Sequence, residues 1–299
     1  MTEPGTGPPA DSSDSLESSR RPPMVRHTTA PVRVLDSGPG GAFDRPDRLA
    51  TEEPMAVQAR GPDQEPVSVS VTMRTPGNDF ELAVGFLFTE GLVGDPSDVA
   101  AVRYCDVTPG EQHYNVVTVD LHVPFARDFG ARNFYASSSC GICGKASLDH
   151  VEVACAPLAP GPVIARSTIL ALPGSLHAAQ RLFEQTGGLH AAGLFSPDGA
   201  LVAVREDVGR HNAVDKLVGR ALLAGELPLR QTVLMVSGRV SFEIVQKAAA
   251  AGIPVLCAVS APSSLAVEAA NRLNMTVVGF LRGESFNVYC HPERIDVSA

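Results

Sequence analysis

The chain has 299 residues, of which 44 % are hydrophobic, enough for a sizeable core in one large domain or two small ones. Aromatic residues make up only 5 % and Trp is absent, so packing must rest on Val, Leu, Ile and Ala. A net charge of -9 excludes the broad basic face that general nucleic-acid binding needs, although a few Arg and Lys can still gather around one anionic small ligand. Six cysteines in a chain this long, with a single close pair, point to a reducing compartment rather than a disulfide scaffold. No apolar run reaches the length of a membrane span. Arg20-Arg21 is not followed by an apolar segment, so it is not read as an export signal, and a cytoplasmic protein is expected.

In chain order, residues 1–40 are rich in Pro, Gly, Ser and charge and are expected to form a disordered tail. Residues 66–73 alternate apolar and polar, which predicts a strand. A turn at 74–77 leads to a helix capped by Asn78 or Asp79 and closed at Gly91. Strands follow at 99–105 and 114–123, and residues 125–145 read as a loop. These elements make a smaller α+β part over residues 41–165.

From residue 166 to 299 the pattern changes. A helix is expected at 168–185, interrupted or entered late at Pro173-Gly174, and closed by Gly187. A hairpin of strands at 191–195 and 200–205 turns at Ser196-Pro-Asp-Gly199. Then helices (211–224, 241–251, 263–271) alternate with strands (232–236, 254–259, 275–281), and a short strand at 286–289 ends the series. Alternation of this kind predicts an α/β domain with a mixed, mainly parallel sheet and helices on both faces.

Cys140 and Cys143 form a Cys-x-x-Cys in the loop Ser139-Cys-Gly-Ile-Cys-Gly-Lys145. The motif suits a zinc half-site, a redox pair, a cluster ligand or a nucleophilic thiol. A structural zinc site needs a second close pair of ligands, which this chain lacks, so no metal is assigned. The flanking Ser137-Ser-Ser139, Gly141 and Gly144 favour a mobile loop over the helix start of a thioredoxin-like pair. Two free surface thiols are the plainest alternative. A mobile pair suits a sulfur carrier, with Lys145 favouring a thiolate, but the chemistry alone leaves these readings open.

Three polar turns follow strands and lead into helices: Arg205 to Asn212, Ser237 to Ser241 and Ser260 to Ser264. Helix N-termini at the carboxyl ends of strands favour anions, and Arg210 and Arg239 add pairable charge. Each of Asn212, Ser241 and Ser263 taken alone is an ordinary cap. The three together point to an anionic, nucleotide-like ligand. His190 and His211 are read as hydrogen-bonded structural groups without a proton-transfer role.

These segments together resemble the formate dehydrogenase accessory sulfurtransferase family, FdhD. The resemblance is carried by Arg74-Thr-Pro-Gly-Asn-Asp-Phe-Glu-Leu-Ala-Val-Gly-Phe86, Ser139-Cys-Gly-Ile-Cys-Gly144, Thr186-Gly-Gly-Leu-His-Ala-Ala192, and Arg205-Glu-Asp-Val-Gly-Arg-His-Asn-Ala-Val-Asp-Lys216. It continues in Ser237-Gly-Arg-Val-Ser-Phe-Glu-Ile-Val-Gln-Lys247, Ala258-Val-Ser-Ala-Pro-Ser-Ser-Leu-Ala266 and Gly279-Phe-Leu-Arg282. It implies an enzyme that takes sulfur from a cysteine desulfurase as a persulfide, on Cys140 first, and passes it to the bis-molybdopterin guanine dinucleotide molybdenum cofactor of formate dehydrogenase. It also implies a cytidine-deaminase-like three-layer domain, a homodimer, and cofactor contacts from Arg210, His211, Ser237, Arg239 and Phe280, Leu281, Arg282, Gly283, Glu284 and Ser285. Deaminase chemistry itself is not expected. Where its zinc motifs would stand, the chain reads His211-Asn-Ala213 and Gly238-Arg-Val-Ser241, without the Glu and the Cys pair. A non-catalytic cofactor-binding chaperone is the main alternative and a thiol oxidoreductase a weaker one.

Overall fold

The computed structural model describes residues 27–105, 115–125 and 155–298. The sulfur-motif loop, with Cys140 and Cys143, lies outside them, as does the expectation that this loop is mobile. The tail expected over residues 1–40 is corrected in its last part. Strand β1 (Thr29–Gly38) pairs antiparallel with β2 (Gly41–Ala50) in an unbroken hairpin. Its Pro, Gly and paired charges look like tail composition, because the strands bury little and leave no alternating apolar signal.

The N-terminal unit is a four-stranded sheet in the order β4-β3-β6-β5, from β3 (Glu53–Arg60), β4 (Val67–Arg74), β5 (Val99–Tyr104) and β6 (Val116–Leu121). Helix α1 (Asp79–Thr89) covers it, packing Leu82, Val84 and Leu87 with Met55 and Val57 of β3 and Val117 and Val119 of β6. Asn78 holds the N-cap position in a left-handed conformation but makes no side-chain cap bond. The Asp79 carboxylate instead takes both prongs of buried Arg74, each at 3.1 Å.

The C-terminal unit is a six-stranded sheet in the order β13-β12-β11-β10-β8-β9. Its strands are β8 (His190–Phe195), β9 (Leu201–Asp207), β10 (Val233–Val236), β11 (Val255–Ala258), β12 (Thr276–Arg282) and β13 (Ser285–Cys290). β10 and β11 are buried at every position, as strands covered on both faces must be. On one face lies α2 (Arg166–Ala179), which buries Ile169, Leu172 and Leu176 against Val233, Met235 and Val255. On the other lie α4 (Arg210–Leu223), α5 (Phe242–Ala250) and α6 (Ser264–Arg272), packed against Leu194, Leu234, Leu256 and Val277. The sheet is mixed, but the expectation of mainly parallel pairing is corrected. Only β10-β11 and β11-β12 are parallel, while β8-β9, β8-β10 and β12-β13 are antiparallel. Two hairpins and the placing of β10 beside β8, rather than beside β9, account for the difference.

Pro173 does not interrupt α2, because the buried face on either side of it holds the helix against the sheet. The break comes at Gln180, before a short α3 (Arg181–Thr186) that Gly187 closes at φ 64°. The C-terminal unit also starts earlier than residue 166. β7 (Ile164–Ala165) pairs with β14 (Ile295–Asp296), and the Leu158 N–H donates to the Leu273 carbonyl at 2.9 Å. Among the described residues no helix is long and apolar enough to cross a membrane.

The two units meet at a close crossing of α1 and α4. A Cβ added at Gly85 would overlap the carbonyl of Asp215, and one at Gly219 the carbonyl of Glu81, so only glycine permits this backbone approach.

Candidate functional site

β9, β10, β11 and β12 point the same way, and β8 runs opposite to β9 and β10. The carboxyl ends of four strands and the start of β8 therefore share one edge. Hydrogen bonds join the turns there into a continuous rim. Ser237 N–H donates to the Ala191 carbonyl (3.0 Å), Val240 N–H to Ala261 (3.2 Å), Ser263 N–H to Val240 (3.0 Å) and Phe280 N–H to Ser260 (3.2 Å). The three polar turns read from the sequence are thus neighbours.

Arg210, the first residue of α4, sits at the centre of this rim. Its Nε is buried and has no hydrogen-bond partner among the described residues. An Arg N–H buried without an acceptor is costly unless a ligand supplies one. Arg210 lies close to Gly238, whose added Cβ would sit 3.4 Å from His190 Nδ1 and 3.7 Å from Arg210 Cδ. His211 Nε2 is 3.2 Å from Ser241 Oγ and 3.9 Å from Glu243 Oε2. Burial and then the Arg210 and Lys247 charges push the His211 imidazole down to about 4, against the pull of Glu243 and Glu90. Burial and Arg210 lower His190 as well. Burial alone would raise Glu243, but hydrogen bonds from Ser241 and its own amide, with the charges of His211 and Arg210, hold it below the usual carboxylate range. At neutral pH the cluster is the Arg210 cation and the Glu243 carboxylate with two neutral imidazoles, His190 and His211.

The capping alternative is decided differently at each turn. Ser263 is an ordinary cap, accepting from Ala266 N–H at 3.2 Å. Ser241 makes no side-chain cap bond and neither does Gly209, so α4 and α5 both begin on this rim with uncapped amides. Asn212 is not a cap at all. Its amide donates to the Met73 carbonyl (2.8 Å) and Asp207 Oδ1 (2.9 Å).

Long-range polar contacts fix the rim in place. Asp207, fully buried at the end of β9, pairs with Lys216 at 2.7 Å and accepts from Thr75 N–H at 3.2 Å. Lys216 Nζ donates to the Thr75 carbonyl at 2.9 Å. Arg205 forms a two-pronged pair with Glu81, one prong at 2.6 Å. Lys247 bridges Asp215 (2.9 Å), Glu90 (2.8 Å) and Thr89 (2.9 Å). Burial opposes its charge, yet Asp215 and Glu90 together raise its pKa above the ordinary ammonium value. The segment from Arg74 to Glu90 is therefore a clamp that holds α4 and α5, and with them Arg210, His211 and Ser241.

The other residues singled out from the sequence are spread along the rim. Arg239 is exposed in the turn after β10. The Ser237 hydroxyl accepts from Ala191 N–H at 2.9 Å and so binds the rim to β8. Phe280 takes φ 52° at a register shift between Gly279 and Arg282, a bulge of the kind that re-aims side chains beside sites. Arg282 lies over its ring, 5.5 Å from the centroid. Leu281 is corrected: the residue is fully buried in the core under α2 and presents no surface to a ligand. Gly283 turns the hairpin at φ 59°. Glu284 and Ser285 face the α2 side, where they line a recess of about 340 Å³ with Arg166, Phe286, Val288 and Val297. The stretch 280–285 is thus divided between two faces, with β12 roughly 10 Å from β10 by strand spacing. Among the described residues no group of three or more His, Cys, Asp or Glu could hold a metal ion.

The model of the FdhD/NarQ family matches residues 50–296. The chain belongs to that family. A sulfur carrier protein FdhD from Mycolicibacterium paratuberculosis is 51 % identical over 273 residues, covering 89 % of this chain and 98 % of the relative. One from Streptomyces avermitilis is 51 % identical over 275 residues, covering 90 % and 95 %. A crystal structure of a formate dehydrogenase accessory protein from Desulfotalea psychrophila superposes with a TM-score of 0.68 at 26 % identity, covering 90 % of this chain and all of that one.

Membership puts the rim, the clamp and the thiol pair in one family segment. The neighbours that sequence reading passed over are Glu243, and His190 as a partner of Arg210. The strand pairing of His190 with Asp207 brings His190 to the rim, and no local pattern announces it.

Proposed function

We propose that the chain is a cytoplasmic sulfurtransferase that serves formate dehydrogenase. In this reading Cys140 takes sulfane sulfur from a cysteine desulfurase: its thiolate attacks the donor's persulfide, a new S–S bond forms on Cys140, and the donor's thiolate leaves. The sulfur then passes to the bis-molybdopterin guanine dinucleotide cofactor, the substrate. Release at the sulfide level needs two electrons. Attack of Cys143 on the inner sulfur supplies them, expelling hydrosulfide and leaving a Cys140–Cys143 disulfide.

The observation that carries the binding half is the buried Arg210 Nε, which has no hydrogen-bond partner among the described residues, near the His190 and His211 imidazoles and beside the open N-termini of α4 and α5. That donor set fits a phosphate of a nucleotide. The relatives named sulfur carrier protein FdhD and the neighbouring accessory protein support the delivery half. In the same reading Arg210, His211, Ser237 and Arg239 meet the phosphates, and Phe280 and Arg282 meet the rest of one guanine nucleotide arm. The sheet with α2 on one face and α4, α5 and α6 on the other is taken as a cytidine-deaminase-like arrangement. The protein acts as a homodimer, each copy holding one arm of the cofactor.

Calorimetry with guanosine diphosphate tests the pocket. Binding by the wild type that falls at least tenfold in Arg210→Ala is expected, and no binding at millimolar ligand contradicts it. Cys140→Ala separates the enzyme from a non-catalytic chaperone. The variant should bind the nucleotide normally and fail to activate formate dehydrogenase, whereas full activation would favour the chaperone.

A further inference from the structure

We infer that Tyr289 is the platform on which the base of a bound nucleotide stacks, at the β13 end of the rim. The inference deepens the nucleotide reading proposed above and rests on it. In the register of β12 with β13, Val277 faces Cys290 and Val278 faces Val288, so Tyr289 has no partner on β12 and sits in a bulge. Val288 packs on the core under α2, and Cys290 belongs to the core under α4, α5 and α6. The bulge frees the residue between them from strict alternation. The Tyr289 ring turns across Gly279: a Cβ added there would come within 3.0 Å of Tyr289 Cε2, 3.0 Å of Pro262 Cδ and 3.1 Å of the Ser260 carbonyl oxygen. Gly279 therefore leaves the room in which the ring meets the turn after β11, and a larger residue would push it out.

Tyr289 is the aromatic side chain still open at this end of the rim. It is 36 % exposed although one edge of its ring is held against Gly279. Phe280, the neighbouring aromatic, takes φ 52° in a second bulge, between Gly279 and Arg282. Its ring already carries the Arg282 guanidinium, 5.5 Å from the centroid. Two bulges and a left-handed Phe thus flank one glycine in a single hairpin. Departures of this kind gather where side chains are aimed at a ligand. An edge hairpin that only closed the sheet would need none of them.

The position selects a nucleotide over a lone anion. The Arg210 side chain reaches Gly238 after β10, its Cδ 3.7 Å from a Cβ added there, and its buried Nε has no hydrogen-bond partner among the described residues. Gly279 lies at the corresponding end of β12, two strands away across β11, or roughly 10 Å by strand spacing. A free phosphate fills only the Arg210 end. A nucleoside diphosphate carries an anion at one end and a flat π-system at the other, with the ribose between them to cross the Ser237 and Ser260 turns. Every base presents a π-face to an aromatic ring, so the platform supplies affinity and leaves the choice of base to other groups.

Calorimetry on the full chain with guanosine diphosphate and with inorganic pyrophosphate tests the platform. The wild type should bind the nucleotide at least ~10-fold more tightly than pyrophosphate, and Tyr289→Ala should remove most of that margin while leaving pyrophosphate affinity unchanged. Tyr289→Phe keeps the ring and should bind both ligands as the wild type does. A wild type that binds the nucleotide no better than pyrophosphate overturns the platform and leaves the Arg210 anion site standing. So does undiminished nucleotide binding in Tyr289→Ala, or an equal loss of both ligands there, which marks a structural side chain. Weakened nucleotide binding in Tyr289→Phe would assign the effect to the hydroxyl and overturn stacking as well. A wild type that binds neither ligand overturns the nucleotide reading itself, and the platform with it.

Discussion

Lys216→Met tests the clamp that fixes the candidate site. Asp207 and Lys216 are both buried and lie 2.7 Å apart. Removing one partner of a buried pair typically costs ~3–5 kcal/mol, because the remaining charge is left uncompensated. Asp207 keeps three other donors: Thr75 N–H at 3.2 Å, Gly209 N–H at 2.8 Å and the Asn212 amide at 2.9 Å. These bring the expected loss to the lower end, about 3 kcal/mol. The Lys216 contact to the Thr75 carbonyl is lost with it, so the units should loosen and the rim should bind an anion less well. Urea unfolding measures the change. In the double variant Asp207→Asn, Lys216→Met, the buried charge is gone and the amide oxygen keeps the Gly209 and Asn212 bonds, while its NH2 replaces the acceptor of Thr75 N–H, so the loss should shrink only to ~2 kcal/mol. A single variant within ~1 kcal/mol of wild type, or a double variant as damaged as the single, would refute this reasoning.

Three further outcomes follow from the same geometry. Gly219→Ala should destabilise by ~3 kcal/mol or more and resist purification as a folded chain, because its Cβ meets the Glu81 carbonyl rather than a movable side chain; wild-type stability on thermal unfolding would contradict the close crossing. Arg210→Ala should cost little stability, since it removes a buried N–H that has no partner among the described residues, and NMR titration should show the His190 and His211 imidazoles moving up. The folded chain protonates His211 only near 4 while the unfolded chain does so near 6.5; stability from this site is thus full above pH 6.5 and lost as pH falls toward 4, by ~1–2 kcal/mol after solvent screening. His211→Asn should flatten that slope in urea midpoints taken across the range, and an unchanged slope would count against the neutral imidazole.

Much of the C-terminal unit was legible because its strands and helices carry strong patterns. The consecutive apolar residues of β10 and β11 announce burial on both faces, and Gly187 and Ser263 mark helix ends by their own chemistry. The β1–β2 hairpin was not legible, because the short alternation of Ala30, Val32 and Val34 is interrupted by Pro31, Leu35 and paired Arg and Asp, and little of it is buried. Strand direction was also hidden. Alternating helices and strands fit parallel pairing equally well, and the placing of β10 beside β8, with the β8–β9 and β12–β13 hairpins, decides it. In the site, Arg210 and His211 were visible from their turn, whereas their surroundings are set by contacts far apart in sequence, such as Asn212 with Met73 and Lys247 with Glu90. Leu281 was misread because a bulge at Phe280 changes which of the neighbouring side chains enters the core.

Sulfur carriage on the thiol pair is the central claim, and intact-mass spectrometry tests it most directly. The purified full chain is incubated with a cysteine desulfurase and cysteine, then measured under non-reducing conditions. The account predicts a gain of one sulfur atom in the wild type, reversed by a thiol reductant and absent in Cys140→Ala. No added sulfur on the wild type, or the same gain in Cys140→Ala, would contradict it.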